Sequence, residues 1–98
     1  MVNEILRTGA ENATSASELC QRLQLTPRQL SAQVMRERRQ GKPICASVTR
    51  PQGYFLAANK AEMKAYCGRL WHRAGEIFKT RAACLKCLES LPGEEGNE

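Results

Sequence analysis

Aromatic side chains are scarce in this chain: one Trp, two Tyr and two Phe among 98 residues. A core with so few rings must be built from Leu, Ile, Val, Met and Ala, and helix is the natural expectation. No run approaches the roughly 18 apolar residues of a membrane span, and the first residues lack the charged-then-apolar pattern of a secretory leader. Neither a membrane partner nor secretion is therefore expected. The five cysteines, Cys20, Cys45, Cys67, Cys84 and Cys87, are odd in number and sit mostly inside apolar patterns. That excludes a disulfide framework and points to a reducing cytoplasm. Acids are concentrated at the end, where Glu89, Glu94, Glu95 and Glu98 stand without a base among the last ten residues. The rest of the chain is thus more basic than its overall net charge of +5, a balance that favours an anionic partner, of which nucleic acid is the commonest.

The strongest local signal that is present is a helix start, written three times. In a capping box the N-cap side chain accepts from the N3 amide, and the N3 side chain reaches back to the N-cap amide. Ser15-Ala-Ser-Glu18 precedes the apolar positions Leu19, Cys20 and Leu23; Thr26-Pro-Arg-Gln29 precedes Leu30 and Val34; Asn59-Lys-Ala-Glu62 opens the third. Pro27 falls at the first helical position, where its missing N–H costs nothing. Only Gln24, Leu25 and Thr26 separate the first two helices, a connection that turns the chain sharply with Leu25 filling the corner. Upstream, Val2, Ile5 and Leu6 predict a short first helix ending near Gly9 in a left-handed cap. Downstream, Gly41 and Pro43 stop the second capped helix, and Ile44–Val48 and Tyr54–Ala57 read as two short strands turned by Thr49-Arg-Pro-Gln-Gly53. The expected fold is mainly α with a small β-hairpin: a winged helix-turn-helix over residues 1–58, a long C-terminal helix over 59–91 and a disordered acidic tail over 92–98.

Leu19-Cys-Gln-Arg-Leu23, Thr26-Pro-Arg-Gln-Leu30, Val34 and Gly41-Lys-Pro-Ile44 resemble the winged helix-turn-helix domain at the N-terminus of biotin-ligase repressors and in many bacterial regulators. Residues 15–57 carry this resemblance. Gly53-Tyr-Phe-Leu-Ala57 and Arg73-Ala-Gly-Glu-Ile-Phe78 are similar to small helix-turn-helix proteins of bacterial and prophage genomes, which extends it to about residue 80. The resemblance implies DNA binding and transcriptional or phage-replication control. Glu37 departs from it, standing where the pattern has Leu or Ala.

At 100° per residue, Leu30, Val34 and Gly41 share one side of the helix that starts at Thr26, and Arg28, Gln29, Ala32, Arg36 and Arg39 share the other. A helix-turn-helix places the start of its second helix in the major groove, so Arg28 and Gln29 are the expected base readers and Ala32 a contact to a thymine methyl. Gln33 lies at the edge of this face, and Arg36 and Arg39 are expected on phosphates. Ser15 and Ser17 offer hydroxyls and amides to a phosphate at the start of the preceding helix, with Thr26 beside them at the next helix start. Arg50 and Gln52 sit at the tip of the expected wing. The rival readings are a solvated charged helix face, simple caps and an ordinary polar turn. Arg38 points to the apolar side, where a salt bridge or an apolar stem is expected rather than DNA.

No enzyme motif, cofactor site or metal site is expected. Cys84-Leu-Lys-Cys87 puts two thiols on one helix face, but a structural zinc needs about four ligands and no second pair exists. His72 has no carboxylate or serine beside it in the sequence. In the long helix, Met63, Leu70, Ile77, Cys84 and Leu91 recur every seven residues, with Cys67, Ala74 and Leu88 between them and Arg81 interrupting. Trp71, Phe78 and Leu85 widen the stripe. Leu70, Ala74, Ile77, Phe78, Cys84, Leu85, Leu88 and Leu91 are therefore expected to form a homodimer interface, with a helix folded back on its own domain as the structural rival. The expected function is that of a cytoplasmic, dimeric regulator that binds double-stranded DNA. Alternatives are a winged-helix protein-interaction module in a larger assembly and a thiol- or metal-sensing regulator.

Overall fold

A computed structural model describes residues 1–93; the residues beyond, which hold most of the acidic tail expected to be disordered, lie outside the described residues. Among the described residues, three α-helices and one two-stranded antiparallel sheet follow in the order α1 (Ala16–Leu23), α2 (Pro27–Arg39), β1 (Ile44–Ser47), β2 (Gly53–Leu56) and α3 (Lys60–Leu88), with a 3₁₀ turn at Ala10–Asn12 before them. The chain is thus mainly helical with a small β-hairpin. The described residues divide into two compact units, one of residues 1–66 and a second that begins at Cys67.

Each helix begins at the cap its sequence announces. Ser15 Oγ accepts from the Glu18 amide at 3.1 Å, while the Glu18 carboxylate lies 3.7 Å from Arg22 one turn on. Thr26 and Gln29 form the complete reciprocal box, at 3.1 and 2.9 Å. Asn59 Oδ1 accepts from the Glu62 amide at 3.0 Å, but the Glu62 carboxylate reaches past the N-cap. Its Oε1 accepts from the Ala58 amide at 2.8 Å and its Oε2 from the Ala10 amide at 3.1 Å. These bonds hold its pKa below the ordinary carboxylate value. Glu62 thereby ties the first turn of α3 to the 3₁₀ turn.

The turn between α1 and α2 is closed by Gln24, which adopts the left-handed conformation, and by the Leu25 amide bonding the Cys20 carbonyl at 3.0 Å. Leu25 packs on the core from the corner. That core joins Val2, Leu6, Leu19, Leu30, Val34 and Ile44. A second cluster joins Cys45, Phe55 and Tyr66, with Met63 against it, so the first turns of α3 belong to the unit of residues 1–66. Burial of Leu30 and Val34 on one side fixes which side of α2 faces water.

The expected N-terminal helix over Val2–Gly9 does not form. Residues Asn3–Ile5 make a turn closed by the Ile5 amide on the Val2 carbonyl, and the chain then runs extended beside β2. The Leu56 amide donates to the Arg7 carbonyl and the Gly9 amide to the Leu56 carbonyl, both at 2.9 Å. Gly9, at φ 95° and ψ 143°, is not a left-handed helix cap. The apolar residues Val2 and Leu6 are buried as their pattern required. The backbone partners of this segment are the edge of β2, for Arg7 and Gly9, and the Glu37 side chain of α2, for Val2 and Asn3, which no local pattern reveals.

Thr14 crosses the other end of β2, its amide and carbonyl exchanging bonds with Tyr54 at 2.9 Å. Gly53, at φ 145°, lets the chain pass: a Cβ there would lie 2.0 Å from the Thr14 carbonyl oxygen. Gly53→Ala is therefore expected to destabilise the fold by about 2–4 kcal/mol, through an incompatible φ and a backbone clash. Urea unfolding measures this, and a loss below about 0.5 kcal/mol would contradict the close approach.

In the second unit, α3 continues to Leu88, and Leu70, Trp71, Ile77, Phe78, Leu85 and Leu88 are all exposed, as is Leu91 just past its end. No helix among the described residues is long and apolar enough to cross a membrane.

Candidate nucleic-acid interface

The outer side of α2 carries Arg28, Gln29, Ser31, Ala32, Met35, Arg36 and Arg39, all exposed. The inner side carries Leu30, Val34 and Glu37, all buried. The 100° spacing thus separates Leu30 and Val34 from Arg28, Gln29, Ala32, Arg36 and Arg39 as the packing does, but Gly41, expected on the inner side, is exposed beyond the end of the helix, and Glu37 is buried in its stead. Three arginines and a small alanine share an open face on a helix whose start is fixed by a full capping box. Such a face can meet phosphate oxygens with charge and admit a close backbone approach at Ala32.

Several expected contacts are already committed within the protein. Gln29 Oε1 accepts from the Thr26 amide, so the cap occupies the acceptor that base reading would use. Thr26 Oγ1 and Ser15 Oγ likewise serve the Gln29 and Glu18 amides. Gln33, half-buried, donates to Glu37 at 2.7 Å and accepts from Arg36. Gln52 Nε2 donates to the Val48 carbonyl at 3.1 Å and braces the hairpin turn, while Arg50 beside it is exposed. Ser15 and Gln52 come together in one open groove of about 350 Å³ with Val48 and Tyr54. Ser17 lines another, of about 470 Å³, with Cys20, Leu25 and Pro27.

Arg38 takes neither an acid nor an outward position. Its Nε donates to the Ile44 carbonyl at 2.8 Å, and its guanidinium lies 4.6 Å from the Tyr66 ring centre and 5.8 Å from that of Tyr54. A cation over two rings ties α2 to β2 and to the first turns of α3.

Glu37 is the residue whose part the sequence did not disclose. Its side chain, 3% exposed, accepts from the Val2 and Asn3 amides at 2.8 Å each and lies 3.3 Å from the Met1 ammonium. Burial raises its pKa, but the bonds from Gln33, Asn3, Val2 and the ammonium outweigh that and lower it from an ordinary 4.5 to about 2. The anion thus stands in for a helix or strand partner to the first residues and positions α2 from behind. A departure from the resembled family's apolar position was its only sequence signal.

The residues expected to pair two copies all lie in the second unit. Ile77, Phe78 and Leu88 are more than 60% exposed, and Leu70 and Leu85 about two-fifths exposed. Cys84 is exposed and Ala74 half-buried. Among the described residues no group of three His, Cys, Asp or Glu side chains could hold a metal ion. No family model, curated protein or solved structure matches the chain, and its functional reading rests on these residues and their geometry.

Proposed function

We propose that residues 1–66 act as a winged helix-turn-helix that binds double-stranded DNA through the exposed face of α2, and that the protein is a cytoplasmic regulator, not an enzyme. One observation carries the reading: α2 buries Leu30, Val34 and Glu37 and opens Arg28, Ala32, Arg36 and Arg39 to water, immediately after a three-residue turn from α1. The resemblance of residues 15–57 to winged helix-turn-helix domains supports it, as does the net charge of +5. Arg28, near the capped start of α2, is the base reader; Gln29 reads a base only by giving up its cap. Arg36, Arg39 and Arg50 meet phosphates, with the Ser15 and Ser17 region beside them.

Arg36→Ala is expected to weaken binding to every sequence alike and to shallow the slope of log affinity against log salt by about 0.9. Arg28→Ala is expected to relax discrimination at one base pair by about 1–3 kcal/mol. Fluorescence anisotropy on duplexes drawn from a genomic selection measures both. If the full chain does not retain duplex DNA at about 50 mM salt, where phosphate contacts are strongest, the reading fails. Capture of an acidic protein in place of DNA would instead assign the basic face to a protein partner.

A further inference from the structure

Seven large apolar side chains of the second unit, Leu70, Trp71, Ile77, Phe78, Leu85, Leu88 and Leu91, are between 42% and 82% exposed, so no described part of the chain covers them. With large side chains presenting about 150–250 Å² each when fully open, they leave roughly 800 Å² of apolar surface bare. That exceeds the largest apolar patch of a typical monomer and equals what one partner contributes to a stable interface of standard size. The area matches a second copy, and the seven-residue repeat makes the stripe complementary to itself.

The side chains that flank the repeat settle the direction of pairing. Leu70, Ile77, Cys84 and Leu91 alternate along the seam with Cys67, Ala74, Arg81 and Leu88. One flank is apolar, with Trp71, Phe78 and Leu85; the other is polar, with Arg73, Thr80 and Cys87. Parallel helices in register would set Arg81 against Arg81 across the seam and place each apolar flank beside a polar one, as Phe78 beside Arg73. Antiparallel helices join apolar flank to apolar flank. Met63 continues the repeat but is packed in the cluster of Cys45, Phe55 and Tyr66, so the seam begins at Cys67.

We propose that two copies of the chain pair antiparallel through residues 67–91 about a two-fold axis at Lys79. Every seam position then has a partner: Leu70 meets the partner's Leu88, Ala74 the partner's Cys84, and Ile77 the partner's Arg81. The two Arg81 residues are displaced by about 6 Å along the axis, at 1.5 Å per residue, and each stem packs on an isoleucine. Trp71 lies against the partner's Leu85. This pairing stands apart from the DNA reading, since it uses no residue of α2.

Thiol mapping tests it in the full chain with Cys67 and Cys87 replaced by Ser. Light scattering at about 50 µM is expected to give twice the 10.9 kDa monomer mass, and the emission of Trp71 is expected to shift to the red on dilution as its partner leaves. Adding Ala74→Cys and oxidising with diamide should give a covalent dimer in which position 74 is joined to the partner's Cys84. Without that substitution Cys84 should give no covalent dimer. Linkage through Cys84 alone would establish the parallel seam and overturn the proposal, as would a dimer that neither variant crosslinks. A monomeric mass, or a Trp71 shift that appears only with phosphatidylserine vesicles, would overturn it in favour of a fold-back or an anionic lipid surface.

Discussion

Glu37→Leu is expected to cost about 3–5 kcal/mol of folding stability, a large share of the roughly 5–15 kcal/mol that holds a domain together. The substitution keeps the position buried and similar in size. It removes the acceptor for the Val2 and Asn3 amides and for Gln33, and a buried donor left without a partner costs about 1–3 kcal/mol. The same carboxylate gives the fold a pH dependence of known sign. Because its pKa in the folded protein is about 2 against an ordinary 4.5, its contribution is complete above about pH 4.5 and is lost as pH falls towards 2. At 1.36 kcal/mol per pKa unit that contribution is about 3 kcal/mol. Glu62, lowered by its bonds to Ala58 and Ala10, acts in the same direction. Urea midpoints measured between pH 6 and pH 2 should fall steeply for the natural chain and less steeply for Glu37→Leu. A variant within about 1 kcal/mol of the natural chain at pH 6, with an unchanged acid slope, would show that Glu37 does not hold the N-terminus.

Why Glu37 escaped the sequence reading, while the elements around it did not, is a matter of range. Caps act over three residues, so Ser15, Thr26 and Asn59 announce the starts of α1, α2 and α3, and Pro27 fits because the N–H it lacks at the first helical position is one that no helix carbonyl would accept. The hairpin is legible for the same reason: two short β-rich runs are separated by a turn-forming segment, and the observed strands lie within those runs or one residue away. The N-terminal segment is decided at a distance. Its apolar spacing suits a helix turn, yet Glu37 and β2 supply backbone partners from far along the chain and the helix loses. The candidate interface divides in the same way. The exposed and buried sides of α2 follow from helical spacing, so Arg28, Ala32, Arg36 and Arg39 are found where expected. Gln29 and Gln33 are on or near that face but bound to Thr26 and Glu37, because a local hydrogen bond forms before any ligand is present. Gln29 was legible in both parts, as cap and as reader, and nothing in the spacing ranks the two.

The largest effect on DNA binding is expected from residues that touch no DNA. Leu70 and Leu88 form two symmetric layers of the antiparallel seam, and Leu70→Ser with Leu88→Ser removes both without changing charge. If two linked binding units engage one DNA site, separating them loses the effective concentration that makes the second contact intramolecular, a factor of about 10²–10⁴. The seam also bears on the site. A two-fold pair of recognition helices calls for a palindromic site with half-sites one turn of B-DNA, or a multiple of it, apart. The double variant should bind such a duplex about as weakly as a half-site, and should bind the half-site itself as the natural chain does. Anisotropy titrations on the two duplexes, read beside the molecular mass in solution, separate the two proposals. An unchanged affinity for the full site in a demonstrated monomer would mean that pairing does not serve DNA binding. An equal loss on both duplexes would mean that α3 contacts DNA directly and is not acting through its partner.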